Sequence, residues 1–269
     1  MSNFLSKKDI KLSKEFEKKG YIIRNISNKF ALKKIENIFT QFIYKELKIQ
    51  KKISSKYLFN NITKFLPNKS LNSFRLKLIN HINNKKEFKK LYYLIAKSYV
   101  DTLVGNELVM QNKINLSIQL PNDSSSLLPV HSDVWSGDSP FEIVVWLPLV
   151  DCYKTKAMYI LPPSKYQKFE KKFYKIAKKD SEIIFRKIKK NVKWINIKFG
   201  QILIFDQSLP HGNRVNLEKE TRWSMNCRFK SVFSPFGDKK IGEFFEHITL
   251  RKISELGMKY NLPKLNEKS

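Results

Sequence analysis

The chain is short of cysteine, glycine, histidine and arginine, and each shortage removes a class of protein. Two cysteines in 269 residues, Cys152 and Cys227, cannot staple a disulfide scaffold, and their spacing fits neither a zinc ribbon nor a Cys-x-x-Cys redox pair. Both read as free thiols in a reducing compartment. The eight glycines form no phosphate-binding loop, and Gly-x-Ser-x-Gly is absent, which removes the common nucleotide-binding and hydrolase readings. No apolar run reaches the length of a membrane span, and the opening stretch MSNFLSKKDIKLSKEFEKKG lacks the apolar segment of a signal peptide. A soluble, cytoplasmic protein is expected, built as one domain over residues 1–269.

Acidic residues are scarce too, with 24 Asp and Glu against 52 Lys and Arg, for a formal charge of +28. Such a charge gives any surface some phosphate affinity through counterion release. Yet 45 of these cations are lysine and seven are arginine, in a chain also heavy in Ile and Asn. Reading base edges favours the rigid donor fork of arginine, so this bias speaks for solvated lysines and against a nucleic-acid partner. An anionic small-molecule partner is the alternative.

What is present divides by hydrophobic period. Residues 1–105 read as mainly helical, after a short strand at Tyr21, Ile22 and Ile23. Ile35, Ile38, Phe39 and Phe42 keep helical spacing behind a cap at Ser27 or Asn28, and Phe88, Leu91, Tyr92, Ile95, Ala96, Tyr99, Val100 and Leu103 form a stripe closed by Gly105. Beyond Gly105 the period becomes 2. Strands are expected at 111–120, 141–150, 157–161, 183–185, 192–198, 201–205 and 221–233, within a core spanning 106–235. Many short strands with turns between them imply an antiparallel sandwich or barrel, hence an α+β fold.

A basic helical insertion at 163–190 interrupts the strands. Ser164 with Gln167 reads as a capping box ahead of Tyr166, Phe169, Phe173 and Ile176. The insertion reads as a solvated helix, with a lid or an anion-binding surface as the alternatives. Residues 236–269 are expected to hold a final helix, with Ile241, Phe244, Phe245 and Ile248 on the side packed against the sheet, and a polar tail.

Only four histidines are available: His81, His131, His211 and His247. On extended chain, i and i+2 point to one side, so His131 and Asp133 of LPVHSD can aim at one point. His211, at the end of the apolar strand ILIF, would complete a two-histidine, one-carboxylate set that leaves positions open on Fe(II). His81, in a Lys- and Asn-rich loop, and His247, on the last helix, read as surface residues. Eleven residues after His211 comes RWSMNCR, in which Arg222, Ser224, Asn226 and Arg228 share one face and Trp223, Met225 and Cys227 the other. If the polar face points inward, an interior anion is needed, because buried charge must be paired; a dicarboxylate held by Arg222 and Ser224 would serve. Otherwise that face lies in water.

These residues resemble the iron(II)- and 2-oxoglutarate-dependent oxygenases, within the phytanoyl-CoA dioxygenase-like superfamily. The phrases NLSIQLP, SPFEIVVW and ETRWS are similar to its members from sporadic carbohydrate-biosynthesis clusters. The resemblance spans residues 15–235 and is strongest from Asn115 onward. It implies a double-stranded β-helix of the jelly-roll, cupin-like kind. It also implies Fe(II) on His131, Asp133 and His211, with 2-oxoglutarate on Arg222 and Ser224 and dioxygen as the second co-substrate. Arg228 is a rival for the co-substrate carboxylate, and the row Asn115, Ser117 and Gln119 faces either the same pocket or solvent. The substrate implied is a sugar, sugar nucleotide or glycan precursor. By proximity in sequence alone, Phe141, Glu142, Lys156 and the loop 135–139 are expected at the mouth, with Trp135 and Trp146 as apolar wall. A jelly-roll sugar-binding protein without turnover and a nucleic-acid-associated oxygenase are the alternatives.

Overall fold

The computed structural model describes residues 4–170 and 180–261. The N-terminal part comprises α1 (Lys7–Lys19), β1 (Tyr21–Asn25), α2 (Lys29–Glu46), α3 (Ser55–Asn60), α4 (Leu71–Asn83) and α5 (Lys86–Val104). Strands β2 (Leu108–Gln111), β3 (Asn115–Gln119), β4 (Ile143–Pro148), β5 (Met158–Ile160) and β6 (Lys193–Trp194) follow. Then come β7 (Gln201–Asp206), β8 (His211–Asn213), β9 (Arg222–Ser231) and β10 (Phe245–Thr249). Between and after them lie α6 (Pro163–Tyr166), α7 (Ser181–Ile188) and α8 (Lys252–Lys259).

All strand pairings are antiparallel. The larger sheet runs β1-β7-β4-β9-β2-β10, with β3 also on β9, and the smaller runs β6-β5-β8. The two sheets line one cavity, to which β3, β4, β7 and β9 contribute from one side and β5 and β8 from the other. This is the jelly roll, in an α+β setting.

Local chemistry explains the helical layer. The Asn28 side chain accepts from the Ala31 N–H at 2.9 Å and starts α2, whose buried stripe runs through Ala31, Ile35, Phe39 and Ile43. Gly20 ends α1 at φ +73°, where a Cβ would lie 2.1 Å from Leu209, so only glycine turns the chain into β1 there. The helices cover the outer face of the large sheet. Trp223 on β9 packs against Phe39, Phe59 and Phe74 at centroid distances of 5.4–6.4 Å and donates from Nε1 to the Phe59 carbonyl at 2.8 Å. Trp223→Ala is therefore expected to lower unfolding free energy by about 3–5 kcal/mol, read by denaturant titration.

Both faces of β9 are thus buried, one under helices and one over the cavity. Cys152 and Cys227 are buried free thiols, and burial pushes each up to about 12 from an ordinary 9.0. Native protein at pH 8 should therefore resist alkylation, with both thiols reacting only on unfolding. Because unfolded thiols ionise first, this pair also withdraws stability as pH rises above 9.

Several elements differ from expectation. The stretch 183–185 is helical: the Asp180 carboxylate caps α7 through the Glu182 N–H at 2.8 Å, and Ile184 and Ile188, one turn apart, are its buried pair. A three-residue apolar run does not separate helix from strand. The expected strand at 111–120 is reduced to β3 at Asn115–Gln119, with Gln111 ending the separate strand β2, and the two pair with different parts of β9. Ile241, Phe244, Phe245 and Ile248 do not share a helix face; residues 245–249 form β10, which covers the edge of β2, and the C-terminal helix begins only at Lys252. Ser164 is not a cap, since α6 starts from Pro162 with no side-chain cap. Phe173 and Ile176 lie outside the described residues. No helix among the described residues is long and apolar enough to cross a membrane.

Candidate metal and anion site

The pairing of two short segments builds the site. His131 and His211 form an isolated bridge, exchanging N–H···O bonds of 3.0 and 2.8 Å, and the Asp133 N–H continues this pairing to the Gln207 carbonyl at 3.1 Å. Alternation then sends the Ser132 hydroxyl to the Gln207 and Ser208 carbonyls, while His131 and Asp133 face the cavity. One ligand atom from each of His131, Asp133 and His211 lies within 4.8 Å of the others. Nε2 of His131 is 3.4 Å, and Nε2 of His211 3.9 Å, from Asp133 Oδ1.

Backbone carbonyls fix both rings. His131 Nδ1 lies 2.8 Å from the Pro129 carbonyl and His211 Nδ1 2.9 Å from that of Leu209, so with Nδ1–H donating, each Nε2 presents its lone pair to the cavity. Phe205 meets the His211 ring edge-on at 4.9 Å. Burial, together with the neighbouring His131, pushes His211 down to about 4, which leaves it neutral and available as a donor at neutral pH. Burial alone would raise Asp133, but its contacts with His131 and His211 and the charge of Arg228 outweigh that and hold the carboxyl well below the usual range. Two imidazoles and one anionic carboxylate on one side of a cavity fit a 2-His-1-carboxylate iron site.

The polar face of β9 points inward. Arg222, Ser224, Asn226 and Arg228 all line the cavity of about 390 Å³. The β3 register sets Ser117 beside Ser224 and Gln119 beside Arg222. Arg222 is 3% exposed and donates to Ser117 Oγ at 3.0 Å, yet its Nε and the Ser224 hydroxyl have no hydrogen-bond partner. Burial pushes this guanidinium down to about 10. A buried cation with spare donors and no carboxylate beside it is costly unless an anion completes it.

Arg228 is differently committed. It contacts Asp133 Oδ2 at 2.8 Å, donates to Gln207 Oε1 at 2.9 Å and to Gln111 Oε1 at 3.1 Å, and lies 3.3 Å from Asp138. Gln207 in turn donates to buried Glu142 at 2.8 Å, so a hydrogen-bonded chain anchors the Asp133 carboxylate from behind through Arg228.

The other expected residues divide. Asn115 lines the cavity and donates to Asn226 at 2.9 Å, whereas Gln119 is buried, donates to the Arg214 carbonyl at 2.6 Å and is outside the lining. Trp146 forms wall, and Trp135 joins the cluster beneath α7 instead. Glu142 and Lys156 are not mouth residues: Glu142 lies under Gln207, and Lys156 is fully buried between Asn60 and Glu220, each at 2.8 Å. His81 sits in the last turn of α4 against Phe42 rather than in a loop, and His247 is exposed on β10. Sequence reasoning missed Gln207 and Arg75. The first carried a signal, its place four residues before His211; the second, on a helix with no motif around it, carried none.

A two-sheet jelly roll with an internal His-Asp-His cluster defines a cupin-like, double-stranded β-helix protein. No family model matches the sequence, and no curated protein matches it. Among solved structures the chain is similar to a non-heme monooxygenase, ThoJ, in its nickel complex, at 14% identity and TM-score 0.55 over 88% of this chain and 84% of that one. The apo form of ThoJ gives 13% and 0.56 over the same shares. EvdMO1 gives 13% and 0.53, over 82% of this chain and 50% of that one. At such identities the likeness is one of fold.

Proposed function

We propose that this chain is a non-haem Fe(II)- and 2-oxoglutarate-dependent oxygenase that hydroxylates or otherwise oxidises a C–H bond of a carbohydrate- or sugar-nucleotide-type molecule. One observation carries the reading: a single cavity holds both the His131, Asp133 and His211 cluster and, on the opposite sheet, a buried arginine with spare donors. His131, Asp133 and His211 would hold the iron, and Arg222 with Ser224 the far carboxylate of 2-oxoglutarate. When bound, iron, 2-oxoglutarate and dioxygen supply an oxidant strong enough for an unactivated C–H bond, with succinate and carbon dioxide as co-products.

The chain's own residues position and shield. Arg228 and the chain through Gln207 to Glu142 keep the Asp133 carboxylate ionised and aimed. Val144, Trp146, Met158 and Phe205 give the cavity an apolar wall that limits water. Asp133 is the sole acid among the described lining residues, so the cavity lacks the carboxylate pair that glycoside hydrolysis needs. No lysine among the described residues lines it either. The amide and hydroxyl groups of Asn115, Ser117, Ser125, Ser126, Asn213 and Asn226 match the hydroxyl groups of a sugar.

Succinate release, measured with and without a panel of neutral sugars, sugar phosphates and sugar nucleotides, tests both halves. Basal release that at least one member stimulates is the expected result. Basal release with no stimulation by any member removes the carbohydrate assignment and leaves the oxygenase; no release under any condition removes the oxygenase.

A further inference from the structure

Arginine is rare in this chain, with seven residues against 45 lysines, yet three of the seven, Arg75, Arg222 and Arg228, line one cavity that no described lysine enters. The proposed chemistry accounts for two of them. Arg228 is spent on Asp133, and Arg222 faces the co-substrate carboxylate. Arg75 is left over. It projects from α4, which packs beside β3, its Nη2 donates to Asn72 at 2.7 Å, and its Nε is buried without a partner. No carboxylate among the described residues pairs with it, and Asp123, two residues before the lining Ser125, is outside the lining and accepts from the N–H and hydroxyl of Ser125.

Burial separates the two unpaired arginines. Arg222 and Ser224 are 3% and 1% exposed, at the cavity floor, whereas Arg75 is half-buried among exposed Asn115, Ser125 and Leu128. A guanidinium at the rim, with amide and hydroxyl groups around it, is built for an oxyanion on a molecule entering from outside. We propose that Arg75 binds an anionic group of the substrate, a phosphoryl or carboxylate, so that the molecule oxidised is a charged sugar derivative rather than a neutral one. This rests on the oxygenase reading, which gives Arg222 and Arg228 their other tasks.

Binding without turnover tests it. Protein loaded with nickel(II) and 2-oxoglutarate is titrated by calorimetry with inorganic phosphate, glucose 1-phosphate, glucuronate and uncharged glucose, and the metal-free protein is titrated in parallel. At least one anion should bind about tenfold or more tighter than glucose, as losing a hydrogen bond to a charged group implies. Arg75→Gln should erase that preference, Arg75→Lys should keep part of it, and 2-oxoglutarate affinity should stay unchanged in both. A preference that survives Arg75→Gln, or the absence of any anion binding, overturns the proposal. So does a loss of 2-oxoglutarate affinity in Arg75→Gln as large as that in Arg222→Met, which would assign Arg75 to the co-substrate. If wild type binds the anions through Arg75 but neither nickel nor 2-oxoglutarate, the anion site stands and the oxygenase reading fails.

Discussion

Asp133→Ala is expected to lose divalent-metal affinity by at least about a hundredfold, the upper end of the loss seen when only an outer partner of a ligand is removed. Turnover should fall below detection, with the fold retained. The carboxylate is the one anionic member of the cluster, so its loss leaves two imidazoles and the Arg228 guanidinium facing an incoming cation. Arg228 then repels where before it oriented. The path of the chain at this point is set by the backbone exchange between His131 and His211, which does not need the Asp133 side chain. Circular dichroism should therefore overlay with wild type while equilibrium binding of Fe(II) or Ni(II) is lost. Metal binding within tenfold of wild type would put the metal site elsewhere.

Arg222→Met separates stability from function. Removing a buried guanidinium that has no carboxylate partner among the described residues is expected to leave the ligand-free protein as stable as wild type or more so, because a buried charge is replaced by an apolar chain of similar length. The same change should weaken 2-oxoglutarate by about 2–5 kcal/mol, on the order of thirtyfold or more, the cost of leaving a buried partner charge unpaired. In thermal melts, 2-oxoglutarate should raise the wild-type midpoint and leave that of the variant unmoved. Arg228→Met should instead impair metal binding, because that guanidinium holds Asp133. If Arg228→Met gives the larger loss of 2-oxoglutarate with metal affinity intact, the two arginines have been assigned the wrong way round.

How much of this was legible in the sequence depends on how local each determinant is. The His131 and Asp133 pair was readable because alternation on extended chain is a property of neighbouring residues, and His211 because an apolar strand ends just before it. The polar face of β9 was readable as a face, but not its direction: both faces are buried, and only the β3 register and the helices over Trp223 decide which one meets the cavity. Helical spacing in 241–248 was overridden by the edge of β2, which β10 covers. Lys156 and Glu142 looked like mouth residues by proximity, yet each is drawn inward by partners distant in sequence, Glu220 and Gln207. Arg75 reaches the cavity through the packing of α4 beside β3, and nothing within its own helix announces that.

The measurement that bears most directly on the central claim is an anaerobic titration with Fe(II) and 2-oxoglutarate, watched in the visible for the charge-transfer band that arises when both sit on one site. Wild type should develop the band, Asp133→Ala should not, and Arg222→Met should need a much higher 2-oxoglutarate concentration to reach it. No band in wild type at saturating concentrations of both, or equal bands in all three proteins, would contradict the account.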